Sequence, residues 1–177
     1  DLSHASQRTI ADGIAAAAGP VAISHTGCAA LHPHPRNTRD EELRACAERG
    51  GVVGIYFMPF LRASGQPTAG DVIRHLEHAI DVAGEDHVGI GTDGEISAVV
   101  VDDAFRAMFR EFIRSRKETG IAAPGEDEDT YMFVADLNTP RKLETLAELL
   151  SARGHGDARI EKVLGGNFAR LFGETWG

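Results

Sequence analysis

A chain of 177 residues, 42% hydrophobic and 25% charged, has the balance of one ordinary globular domain. Its 27 acidic against 18 basic residues give a formal net charge of -9. That argues against a nucleic-acid surface, which needs clustered Lys and Arg to displace phosphate counterions, but leaves an acidic cleft open to cationic metals.

The opening residues Asp1-Leu2-Ser3-His4 lack an initiator Met and any signal-peptide character, so the chain reads as starting inside a larger protein. The compartment, cytoplasmic or exported, stays open. Ser6 to Ala18, rich in Ala and Ile, has a helical texture. Pro20 to Ser24 is a short apolar run that stops at His25. The chain predicts a helix from Thr38 to Glu48, opened by a capping box of Thr38 and Glu41 and closed at Gly50-Gly51. GVVGIYF (51–57) is a second apolar run. Ala69 to Ala83 carries Val72, Leu76, Ala79 and Ile80 at helical spacing, with Gly84 as its stop. HVGIGT (87–92) is a third run. All three runs are near-continuously apolar, as suits parallel strands covered on both faces.

Beyond Asp93, Asp102 to Lys117 predicts an amphipathic helix with Phe105, Met108, Phe109, Phe112 and Ile113 on one side. The acidic stretch Glu126 to Asp129 predicts a solvated loop. Pro140 to Arg153 and Asp157 to Leu164 predict two more helices, and Ala169 to Phe172 a last turn capped by Asn167. No apolar run approaches the roughly 20 residues needed to cross a bilayer. Cys28 and Cys46 lie in no Cys-x-x-Cys motif, so neither a disulfide framework nor a thiolate zinc site is suggested.

Alternating strands and helices build a right-handed parallel α/β sheet. Three strands and a strand end leave open edges, and a closed barrel of this type needs roughly 250 residues. The chain therefore reads as the second half of a barrel. In such barrels the carboxyl ends of the strands face one shared mouth. Here DLS ends in His4, VAIS in His25 and HVGIGT in Asp93. Neutral imidazoles bind zinc, and a nearby carboxylate can take the proton that an activated water gives up. The plainer alternative is that each is a hydrogen-bonded turn residue or cap.

The segments DLSH, PVAISHTGCAALHPHPRN, DEELRACAERGGVVGIYFMPFL, VIRHLEHAIDVAGEDHVGIGTD and VADLNTPRKLETLAELLSARGHGDARIEKVLGGNFARLF together resemble the membrane (renal-type) dipeptidase family of zinc peptidases. The resemblance implies a (β/α)8 TIM barrel of amidohydrolase type, with this chain supplying about strands five to eight and the C-terminal helices as one domain. It implies two zinc ions bridged by a glutamate and a water, dipeptides as substrates, and homodimers as a candidate assembly. Carried over by position, His4 and His25 look like the two histidine ligands of one zinc. Arg36 looks like the arginine that grips the substrate carboxylate, and Asp93 like the proton-transferring acid.

Two departures from the family stand out. The early His-x-Asp pair, the bridging glutamate and the substrate-polarising histidine of the family have no counterpart in the chain and belong to an N-terminal half. The usual Asp-Phe-Asp-Gly run is here Asp93-Gly94-Glu95-Ile96, which leaves the preferred dipeptide and the use of D-residues open.

Gly89 to Gly94 formally matches the dinucleotide fingerprint G-x-G-x-x-G, but no helix follows it directly. His75 and His78, one turn apart, read as helix-edge residues, and His32 and His34 as part of a Pro-rich loop beside Arg36. His87 and His155 carry no role. The readings that compete with an enzyme are a non-catalytic α/β binding module, or inactive remnant, that needs a partner chain, and more remotely a dinucleotide-binding protein.

Overall fold

The computed structural model describes all 177 residues. Its sheet has four parallel strands: β1 (Ala22–Cys28), β2 (Asn37–Thr38), β3 (Val52–Ile55) and β4 (Val88–Ile90), in the order β2-β1-β3-β4. The alternation read from the sequence is present. Helix α1 (Gln7–Ala16) precedes β1, α2 (Asp40–Glu48) lies between β2 and β3, and α3 (Ala69–Ala83) between β3 and β4. Helices α4 (Asp103–Glu118), α5 (Lys142–Ala152), α6 (Asp157–Glu161) and α7 (Asn167–Trp176) follow.

The core lies where the sheet meets the helices. Val52, Val53 and Ile55 of β3 are fully enclosed, as are Leu43 of α2 and Val72 and Leu76 of α3. This continuous burial is why those strands show no polar alternation. No helix is long and apolar enough to cross a membrane.

Several local expectations are corrected. Thr38 does not cap α2, because it is spent in β2, a two-residue strand too short to leave a pattern. The reach-back to the cap comes from Glu42, not Glu41. The Glu42 carboxylate accepts the Arg39 backbone N–H at 2.9 Å and pairs with the Arg39 guanidinium. Asn167 does not cap a short turn either. It sits inside the start of α7, which runs ten residues, and its amide donates to the Glu85 and Val88 carbonyls at 2.7 Å each. That pins α7 to the start of β4. Glu126 is not solvated: it is 6% exposed and makes a paired salt bridge to Arg116 of α4 at 2.7 and 2.8 Å.

β1 is longer than Pro20 to Ser24, and His25 lies within it. Ala22 and Ile23 pair with Val52 and Val53, yet Thr26 already pairs with Ile55. Two residues, Ser24 and His25, therefore stand opposite one, Gly54. Such a bulge bends a strand and re-aims a side chain. It fits only because its neighbours are glycines. A Cβ on Gly54 or on Gly91 would overlap the Ser24 carbonyl. Gly91→Ala should therefore lower stability by about 1–3 kcal/mol, read as the urea midpoint, while substitution of the open Gly19 should cost far less. Two of the glycines in the apparent G-x-G-x-x-G are thus explained by packing: Gly91 by Ser24, and Gly89 by the Phe168 ring.

Candidate metal and substrate site

Four side chains meet at the carboxyl-end rim of the sheet. His4 is brought there by the N-terminal segment, which docks beside β1 through the Leu2 N–H to the Ala22 carbonyl at 2.8 Å. His25 comes from the bulge, Asp93 from three residues beyond β4, and Arg36 from just before β2. One potential ligand atom from each of His4, His25 and Asp93 falls within 4.8 Å of the others. The imidazole rings meet edge to face at 4.8 Å between centroids. His25 Nε2 lies 3.9 Å from an Asp93 carboxylate oxygen, and the Arg36 guanidinium lies 3.9 Å from the same oxygen. His4 at φ 65° and Asp93 at φ 55° are the only non-glycine residues of the chain with left-handed backbones.

The surroundings of His25 fix its tautomer. The Ser24 hydroxyl donates to the Asp1 carboxylate at 2.6 Å, and His25 Nδ1 lies 2.9 Å from the Ser24 hydroxyl oxygen. The single hydroxyl hydrogen being spent on Asp1, the ring must donate from Nδ1. Nε2 then carries a lone pair aimed into the cluster. It is the one buried side-chain polar atom in the protein without a hydrogen-bond partner. Unpaired buried polar atoms are costly, and an imidazole nitrogen flanked by a second imidazole and a carboxylate has the surroundings of a cation ligand. The donor set therefore fits a divalent metal with nitrogen and oxygen ligands. Burial, followed by the nearby Arg36 charge, lowers the pKa of His4. Burial also lowers that of His25, against the opposing pull of Asp93. Both rings are thereby kept in the neutral form that binds metal.

Arg36 is held from behind. Thr26 Oγ1 donates to the Arg36 carbonyl at 3.0 Å and accepts the Thr38 N–H at 3.1 Å. Asn37, buried behind it, donates to the His32 and Phe60 carbonyls at 2.8 and 2.9 Å and accepts the Tyr56 hydroxyl. The Arg-Asn pair is thus a side chain for the site followed by a buried clamp. The guanidinium lies against both ring nitrogens of His4, of which the neutral ring accepts at one.

The remaining histidines lie elsewhere. His75 is not at a helix edge but in the core, at 1% exposure, accepting the Cys28 N–H at 2.8 Å and donating to the Leu61 carbonyl at 2.9 Å. His78 pairs with Asp40. His34 stacks on Phe60 and bonds the Pro124 carbonyl, so it is tied down rather than solvated. Burial pushes both cysteine thiols up to about 12, and neither is a nucleophile. Glu95 does not join the three-residue cluster. Sequence reasoning missed Asp1, Ser3 and Ser24, which buttress His25. The flanking Asp-x-Ser and Ser-His were the only signal available for them.

Residues 1–123 match the family model described as membrane dipeptidase, peptidase family M19. The chain belongs to the membrane dipeptidase family. Dipeptidase verJ of Clonostachys rogersoniana is 40% identical over 169 residues, covering 92% of this chain and 41% of its own length. Among solved structures, an amidohydrolase from Pseudomonas aeruginosa superposes with a TM-score of 0.76 at 30% identity, over 99% of this chain and 51% of that one. A metallopeptidase from Rhodobacter sphaeroides, solved with a phosphinate mimic of L-Ala-D-Ala, superposes at 0.74 and 26% identity, over 99% and 42%. This chain spans about half the length of the curated relatives it matches. Its parallel α/β sheet matches part of the dipeptidase TIM barrel.

Proposed function

We propose that this chain is the C-terminal half of a zinc-dependent dipeptidase barrel, with the remaining metal ligands contributed by an N-terminal half. The observation that carries the reading is the unpaired Nε2 of His25, aimed at His4 and Asp93 on the rim where barrel active sites lie. His4 and His25 would hold one zinc of a pair. Bound zinc would supply a water of lowered pKa and polarise the peptide carbonyl.

The protein side of the reaction follows from the remaining groups. Asp93, with its carboxylate beside the cluster, takes the proton from the attacking water and delivers it to the departing amine. Arg36 presents a planar fork of donors that matches a terminal carboxylate bidentately. Anchoring that end fixes which peptide bond reaches the metals, and so limits the substrate to two residues. To do this, Arg36 would have to leave the ring nitrogens of His4, which would free them for metal.

The test is hydrolysis of a panel of dipeptides by the intact protein. Activity should vanish on chelation, return with zinc, and not extend to tripeptides. Zinc binding without any dipeptide cleavage would overturn the assignment in favour of a binding module. Arg36→Ala should lower kcat/KM about 10- to 100-fold, chiefly through KM, as expected for loss of a charge-assisted contact. An unchanged KM would remove Arg36 from the substrate site.

A further inference from the structure

Next to Asp93 lies a cavity of about 450 Å³ that the proposed chemistry does not use. Its floor is Phe57 and Met58 at the end of β3, and Thr92 and Asp93 beyond β4. Its outer wall is the apolar face of α4, and Phe133, Val134 and Leu137 close the far side. Most of the lining is hydrophobic, and the volume falls within the roughly 300–1,000 Å³ typical of small-molecule sites.

Its lining joins the ends of β3 and β4 to α4 and to the segment that runs from Met132 to Lys142. These parts are firmly tied together. The Asn138 side chain brackets Val99, accepting its N–H at 2.7 Å and donating to its carbonyl at 2.8 Å. Gln66 brackets Tyr131 in the same way, at 2.8 and 3.1 Å. Arg116 ties the Glu126 turn to α4. Inside this frame, Phe105, Phe109, Tyr131 and Phe133 form a cluster of stacked and edge-to-face rings with centroids 5.1 to 5.9 Å apart. Met108 and Phe112 line the cavity yet remain 60% and 47% exposed. Apolar side chains left open to water inside a rigid frame form a surface to which an apolar group gains by binding.

We propose that this cavity receives a large apolar side chain, aromatic or leucine-like, of the dipeptide substrate, and that Met108 and Phe112 set this preference. The proposal rests on the dipeptidase reading above. What commits the occupant is continuity. Asp93 belongs both to the ligand cluster and to the cavity wall, so a peptide whose scissile bond lies at Asp93 extends a side chain into this space. Among the polar groups of the lining, the Lys142 ammonium donates to the Glu95 backbone carbonyl and the Asn138 amide is spent on Val99, while most of the wall is apolar.

The experiment compares kcat/KM for Ala-Ala, Ala-Leu, Leu-Ala, Ala-Phe and Phe-Ala in the intact protein and in Met108→Asp. A urea midpoint for Met108→Asp equal to that of the wild type shows that the variant folds. In the wild type, Leu or Phe at one of the two positions should be favoured over Ala by about tenfold or more. In Met108→Asp that ratio should fall at least tenfold. Phe112→Asp should act in the same direction. Cleavage of Ala-Ala with no apolar preference, or a preference that survives both substitutions, overturns the pocket and leaves the dipeptidase reading standing. If no dipeptide is cleaved at all, it is the reading beneath the pocket that falls.

Discussion

His25→Ala should abolish dipeptide hydrolysis by the intact protein and strip bound metal, with little effect on folding. The two readouts separate because of how the ring is placed. Its Nδ1 is satisfied by Ser24, but its Nε2 contributes nothing to the fold. Removing the side chain leaves Ser24 still bonded to Asp1 and Ser3, so the urea midpoint should move by no more than about 1 kcal/mol. Activity should drop by a factor of about 1,000 or more, because without the ligand the metal loses its place. Ser24→Ala should give an intermediate result, weakening metal affinity about 10- to 100-fold by freeing the ring to rotate. Metal content by elemental analysis and zinc competition against a chromogenic chelator would check both. Full activity of His25→Ala would end the metal assignment.

His75 should govern the acid stability of the fold. It is a neutral imidazole in the core, bridging the Cys28 N–H to the Leu61 carbonyl, and burial drives its pKa down to about 4. An unfolded chain holds the same ring at roughly 6.5. As pH falls through that value the unfolded state takes up the proton first. Stability is therefore lost progressively between pH 6.5 and about 4 and then levels off, for a total of about 3 kcal/mol. His75→Ala should cost about 3 kcal/mol at pH 7, because it leaves a buried donor, a buried acceptor and a void. The variant's stability should then fall less steeply below pH 6.5 than that of the wild type. Equal acid slopes in urea titrations would show that the ring is not the sensor.

The α/β alternation was legible in the sequence, and so was the meeting of three polar side chains at one rim, for physical reasons. Strand ends carry chemistry because backbone geometry aims them at a common rim, so His4, His25 and Asp93 stood out from the apolar runs that precede them. The three do lie close together. What the sequence hid were features set by tertiary contact. Thr38 resembles a helix cap and is instead the end of a two-residue strand, because Thr26 supplies it a partner from across the sheet. Glu126 sits in an acidic run whose composition says solvent, but Arg116 lies ten residues earlier on a helix that turns back over it. His25 was read as ending a strand, and the bulge that aims it depends on Gly54 in β3 and on Gly91 just past β4. The apolar stripe on α4 was readable, but not that half of it stays uncovered beside Asp93.

The left-handed backbones of His4 and Asp93 carry a consequence for anyone reshaping this protein. Such conformations cost non-glycine residues about 1–3 kcal/mol each, more for an imidazole than for an aspartate, whose short side chain tolerates them better. Glycine at either position would relax the main chain and erase a proposed ligand or proton carrier. A search guided by thermal endurance alone would therefore drift toward a sturdier and chemically blank rim, so these two positions need to be held fixed before any such campaign begins.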